Sequence, residues 1–139
     1  MSAEFLVDTS AWNRINATVE LSSRWTELAT AGGVTLCPPV RIELLFSARG
    51  PADYADFADE LDGLPSRTLS RQAVERAGDV QFKLAGRSQH RGPNAVDLFV
   101  AAIAEINDLT LLHYDRHFDA IARVTGQATE WIAPRGTLD

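Results

Sequence analysis

The chain has 139 residues and a mass of 15.2 kDa, the length of one ordinary domain, and its 45% hydrophobic and 23% charged residues exclude a disordered tail or a purely polar repeat. Cys37 is the single cysteine, no apolar run reaches the roughly 18 residues needed to cross a bilayer, and residues 1–7 lack a basic leader, so a single-domain soluble cytoplasmic protein is expected. Thirteen basic against nineteen acidic residues give a net charge of −6. That balance argues against a nonspecific nucleic-acid coat, yet it suits an enzyme whose local carboxylates gather divalent cations.

The first element is the apolar strand Phe5-Leu6-Val7, which stops at Asp8-Thr9-Ser10 and turns into helix, so Asp8 stands at the carboxyl edge of a sheet. Residues 19–31 read as an amphipathic helix through Val19, Leu21, Trp25, Leu28 and Ala29, stopped by Gly32-Gly33. A second strand, residues 34–37, leads through Pro38-Pro39 into a helix over about 39–48 whose apolar residues surround most of its circumference, which predicts that it is largely buried. Residues 52–62 form a further helix with five acids on its wet side. A weak strand is expected near 67–69, then a helix from about 70 to 89 that runs into the basic loop 86–93. A strongly apolar helix over 94–106, a strand at 109–112, a helix at 116–124 and a strand at 129–132 complete an alternation that predicts an α/β fold with a mainly parallel sheet covered by helices.

Most of the acids belong on the surface, but four occupy costly positions. Asp8 and Asp115 each follow a predicted parallel strand. Glu43 lies inside the apolar run Val40-Arg41-Ile42-Glu43-Leu44-Leu45-Phe46, where an unpaired carboxylate costs several kcal/mol. Asp97 opens the apolar 94–106 helix, three residues after the capping candidate Asn94. Each has an ordinary explanation as a cap, an ion pair or a first-turn acid. Together they can converge at one sheet edge, where three or four repelling carboxylates call for a hard divalent cation, Mg²⁺ or Mn²⁺, rather than zinc. Asp119, one helical turn beyond Asp115, is a secondary candidate.

At these residues the chain resembles a PIN domain, and more narrowly the ribonuclease toxin of a VapBC type II toxin–antitoxin pair. The resemblance rests on Val7-Asp8-Thr9-Ser10-Ala11-Trp12, the Glu43 helix, Asp97-Leu98-Phe99-Val100-Ala101-Ala102 and the 111–119 segment, in order and across nearly the whole chain. It implies a three-layer α/β/α domain that cleaves single-stranded or looped RNA with Mg²⁺ or Mn²⁺, is restrained by a cognate VapB-like antitoxin, and forms a homodimer. It further implies that Asp8, Glu43, Asp97 and Asp115 are the catalytic and metal-binding acids, that Thr9 lies near the metal, and that a tRNA anticodon loop is a first substrate to consider. Thr9 or Ser10 is expected to orient a metal-bound water. Arg14, Arg87, His90, Arg91, Arg116 and His117 are the candidate RNA contacts, since several lie in loops or helix starts near the expected edge. The alternatives are a PIN nuclease for RNA processing or DNA outside any toxin–antitoxin pair, and a catalytically silent PIN-like binding protein.

Overall fold

The computed structural model describes residues 4–138. In chain order it contains β1 (Phe5–Val7), α1 (Thr9–Trp12), α2 (Val19–Thr30), β2 (Val34–Thr35), α3 (Pro38–Phe46), α4 (Pro51–Asp62), α5 (Arg71–Ala85), α6 (Ala95–Ile106), β3 (Thr110–His113), α7 (His117–Thr125) and β4 (Thr129–Trp131). The strands lie in the order β2-β1-β3-β4, and every neighbouring pair is parallel. Strand side chains alternate between two covered faces, which is why β1 can be apolar and buried at every position. Phe5, Val7, Val34 and Leu112 pack beneath Leu21, Trp25 and Leu28 of α2, whereas Leu6 and Leu111 face the larger core built from α3 to α7. The result is the three-layer α/β/α arrangement that the sequence predicts.

Connections from β1 and β3 leave in opposite directions along the sheet. Right-handed crossovers then require α2 and α7 on opposite faces, as found, and a crevice opens where the two paths part. Leu6 is in register with Leu111 and Val7 with Leu112, so β1 and β3 end side by side at this crevice.

Three details differ from the sequence-based expectation. The weak strand near 67–69 reduces to one parallel bridge between Leu36 and Ser66; Pro65, which has no amide hydrogen, supplies only a carbonyl to the Leu36 amide (2.8 Å). The helix expected to run to residue 89 ends at Ala85, because Ser88 adopts a left-handed φ of 56° and the Gln89 amide returns to the Leu84 carbonyl (2.8 Å). Helix α3 is not largely buried. Val40, Leu44 and Leu45 enter the core, but Ile42 and Phe46, four residues apart on the opposite side, are 68% and 91% exposed. Among the described residues, no helix is long and apolar enough to cross a membrane.

Candidate active site

Asp8 and Asp97 are the only acids buried to this depth among the described residues, at 5% and 9% exposure, and both lie at the crevice beyond β1 and β3. Asp8 is the N-cap of α1: its Oδ2 accepts from the Ser10 amide (2.9 Å) and from the Ser10 hydroxyl (2.6 Å). The same Ser10 Oγ accepts from the Tyr114 amide (2.9 Å), so one hydroxyl joins the end of β1 to the chain leaving β3. Thr9 Oγ1 donates to Glu43 Oε1 (2.7 Å), which ties α3 to the same turn. Thus Thr9 and Ser10 each orient one acid.

Asp97 occupies the third position of α6 in a complete capping box. Asn94 Oδ1 accepts from the Asp97 amide (2.9 Å), and Asp97 Oδ2 accepts from the Asn94 amide (3.0 Å). Asp115 Oδ1 accepts from the His117 amide at the start of α7 (2.9 Å). A common pattern links all four acids. In each, a carboxylate oxygen takes a side-chain or backbone hydrogen bond from the protein, Asp8 through Oδ2, Glu43 through Oε1, Asp97 through Oδ2 and Asp115 through Oδ1.

Their electrostatics report mutual proximity. Burial pushes the Asp97 carboxyl up to about 6, with Asp8 and Asp115 adding to the rise; the Asn94 hydrogen bond and His117 oppose it. Burial likewise raises Asp8, against its hydrogen bonds to Ser10, and Glu43 adds repulsion. Cys37, wholly buried at the start of α3, is pushed up to about 12 by burial, with smaller contributions from Asp8 and Glu43, so its thiol is an inert part of the floor. The acids therefore form one electrostatic unit, although no three His, Cys, Asp or Glu side chains among the described residues stand close enough to make a ready coordination cluster. By donor chemistry the set nonetheless fits a hard divalent cation, since all four groups are carboxylates and each is oriented by at least one hydrogen bond.

The remaining candidates separate. Asp119 Oδ1 accepts from Trp131 Nε1 (3.1 Å), and Asp119 lines a neighbouring cleft rather than the crevice of the four acids. Arg14 is half-buried; its Nη1 donates to the Ser10 carbonyl (2.9 Å) and its guanidinium lies 4.5 Å from the Tyr114 ring centroid, so it braces the Ser10 turn. Arg87, His90 and Arg91 are exposed on the 86–93 turns, but the residues of that segment lining the cleft are Ser88, Gln89, Gly92 and Pro93. Arg116 and His117 do line it, together with Arg123 and Arg135, which the sequence alone does not single out. Helical spacing from Arg116 through Ala120 to Arg123 is a signal for the first; nothing local marks Arg135, which arrives through the fold. His113 is fully buried between Phe118 and Trp131, burial lowers its pKa against the opposing pull of Asp119 and Asp115, and its Nδ1 accepts from the Asp115 amide (3.2 Å).

Residues 5–124 match the family model described as the PIN domain. Ribonuclease VapC18 of Mycobacterium tuberculosis is 43% identical over 136 residues, covering 96% of this chain and 98% of that protein. Ribonuclease VapC2 of the same species is 38% identical over 133 residues, covering 94% of both. Among solved structures, DNA-bound VapBC from Salmonella typhimurium matches with a TM-score of 0.75 at 17% identity, covering 95% of this chain and all of that one, a likeness of fold.

Proposed function

The chain belongs to the PIN-domain family, close to the VapC toxins of VapBC toxin–antitoxin systems, and from this membership and its four electrostatically coupled acids we propose that it is a metal-dependent endoribonuclease restrained by a small antitoxin protein. The observation that supports this reading is the electrostatic coupling of Asp8 with Glu43 and of Asp97 with Asp8 and Asp115, each acid oriented by at least one hydrogen bond. These residues would hold Mg²⁺ or Mn²⁺. When bound, such a cation orients water for in-line attack and stabilises charge on the phosphate and the leaving oxygen. The chain's own part is placement: Ser10 fixes Asp8 against β3, Thr9 fixes Glu43, and the Asn94 box fixes Asp97.

The substrate class is a single-stranded or looped RNA, with a tRNA anticodon loop first among those to test. A net charge of −6 disfavours indiscriminate tight binding, so selectivity comes from a folded loop that presents one phosphate to the crevice. Homodimerisation and a VapB-like antitoxin complete the assembly, in keeping with relatives solved as VapBC complexes. The test is 5′-end mapping of total RNA after brief expression of the native chain and of Asp97→Asn, paired with cleavage by purified protein in Mg²⁺, Mn²⁺ or EDTA. New ends confined to a few RNAs and lost in Asp97→Asn are expected; identical profiles with no metal-dependent cleavage would reject the assignment.

A further inference from the structure

Beside the acidic crevice lies a cleft of about 330 Å³ between the turn at residues 88–93 and the first half of α7. Its charged wall is formed by Arg116, Arg123 and Arg135, with His117 and Asp119 between them. Arg116 and Arg123 stand on one side of the α7 segment, and Arg135 reaches the same place from beyond β4. Four arginines elsewhere are engaged, Arg24 with Glu130, Arg41 with Asp62, Arg71 with Glu75 and Arg76 with Glu105. Among the described residues, none of the three cleft arginines takes part in an ion pair, and all three are exposed. Among the described residues, the only carboxylate lining the cleft is Asp119, and one of its oxygens is occupied by the Trp131 indole.

Two features connect this basic surface to the site of chemistry. His117 lines the cleft, gives its amide to Asp115 and acts electrostatically on Asp97, so the cleft begins where the acids end. Arg116 and Arg135 also border a second hollow that contains Asp115, Tyr114 and Trp131. The two hollows thus share a pair of guanidinium groups. Gly92 sets the cleft's width, since a Cβ there would lie 3.1 Å from His117 Nδ1 and force the imidazole to move.

We propose that this cleft is the backbone-binding subsite for the RNA strand flanking the cut, with Arg123 and Arg135 holding a phosphate next to the one presented to the acids. The proposal rests on the nuclease reading and adds to it the place where substrate is gripped. A guanidinium fork suits a phosphate group, and an acidic protein that binds RNA gains most from a small basic surface placed beside its carboxylates. Contact with backbone alone predicts grip without base preference.

The experiment uses the Asp97→Asn chain, which retains the cleft, and a 20-nucleotide mixed-sequence RNA carrying a fluorophore, with binding followed by anisotropy across a salt series. Adding Arg123→Ala and Arg135→Ala together should weaken binding by about tenfold or more and flatten the dependence of log affinity on log salt by about 0.7 for each phosphate no longer neutralised. Arg123→Lys with Arg135→Lys should recover part of both, and far-ultraviolet circular dichroism of each variant reports the fold independently. Unchanged affinity and slope in the alanine pair would overturn the cleft while leaving the nuclease standing if the native chain still cleaves RNA. Unchanged RNA affinity with weakened capture of the coexpressed antitoxin would overturn it in favour of a protein-binding cleft. No RNA binding by Asp97→Asn and no cleavage by the native chain would overturn both readings.

Discussion

Asp97 shows how a single residue can serve the helix and strain against it. Its Oδ2 completes the α6 capping box, while burial and the neighbouring Asp8 and Asp115 lift its carboxyl from the ordinary 3.8 to about 6. Between those two values the folded chain holds a proton that the unfolded chain has lost, so this group's contribution makes stability fall as pH rises through that window. The whole penalty is in force above about 6 and is absent below about 4. An asparagine cannot ionise, yet its amide oxygen can still accept from Asn94. Asp97→Asn in EDTA should therefore gain on the order of 1–3 kcal/mol at pH 7.5 and little at pH 4, read by denaturant unfolding at both pH values. No gain at pH 7.5 would contradict a carboxyl raised by burial and, secondarily, by the neighbouring acids. Ser10 is the complementary case, because its hydroxyl satisfies Asp8 and the amide of buried Tyr114 at once. Ser10→Ala should cost about 1–3 kcal/mol through the orphaned amide, and should weaken Mn²⁺ binding by calorimetry because Asp8 loses its brace.

At the scale of elements, the site depends on where helices begin. Asp8, Asp97 and Asp115 all stand at or beside the first turn of a helix, with amides available to orient one oxygen of each. For α6 the orientation is reciprocal, since Asn94 holds the Asp97 amide while Asp97 holds the Asn94 amide. Removing the Asn94 side chain should destabilise the chain by about 1 kcal/mol and reduce cleavage by more than that loss explains, because Asp97 would keep only one side of its box. Thermal melting beside a cleavage rate at a temperature where Asn94→Ala remains folded checks this. A variant with full activity despite the lost stability would make the box merely structural. Bidentate pairing of Arg76 with Glu105 at 2.7 and 3.0 Å fastens α5 to α6 at the far end, away from the acids.

For the whole molecule, the distribution of charge and apolar surface matters more than either total. Asp8 and Asp97 are buried at the crevice, three arginines gather beside it, and α3 turns Ile42 and Phe46 outward. Two large apolar side chains four residues apart on one exposed helical face are suited to a partner, and each buried fully against one contributes roughly 1.5–3 kcal/mol. Ile42→Asp with Phe46→Asp should leave the melting temperature within a few degrees of the parent, since neither residue enters the core. The pair should nonetheless reduce copurification of the antitoxin or shift the homodimer to monomer in light scattering. An unaltered assembly on both measures would place the partner surfaces elsewhere.

Periodicity and punctuation alone determined the layered parallel fold, because a three-residue strand with every side chain apolar needs cover on both faces. They also determined which acids were out of place: Asp8 at a strand end and Asp97 in an apolar helix read as expensive from their neighbours, and both are buried. For Glu43 the sequence premise is weaker, since α3 has an exposed face and Glu43 lies at its half-buried margin. Other features required the tertiary structure. Ser10 and Tyr114, 104 positions apart, meet because β1 and β3 are neighbours in the sheet. Arg123 and Arg135 share a cleft because the connection through β4 brings the chain back to α7. Sequence patterns report which residues prefer burial or helix, each within a few turns of its own position, whereas a carboxylate's hydrogen bonds and a guanidinium's neighbours depend on which distant segments the packed sheet sets side by side.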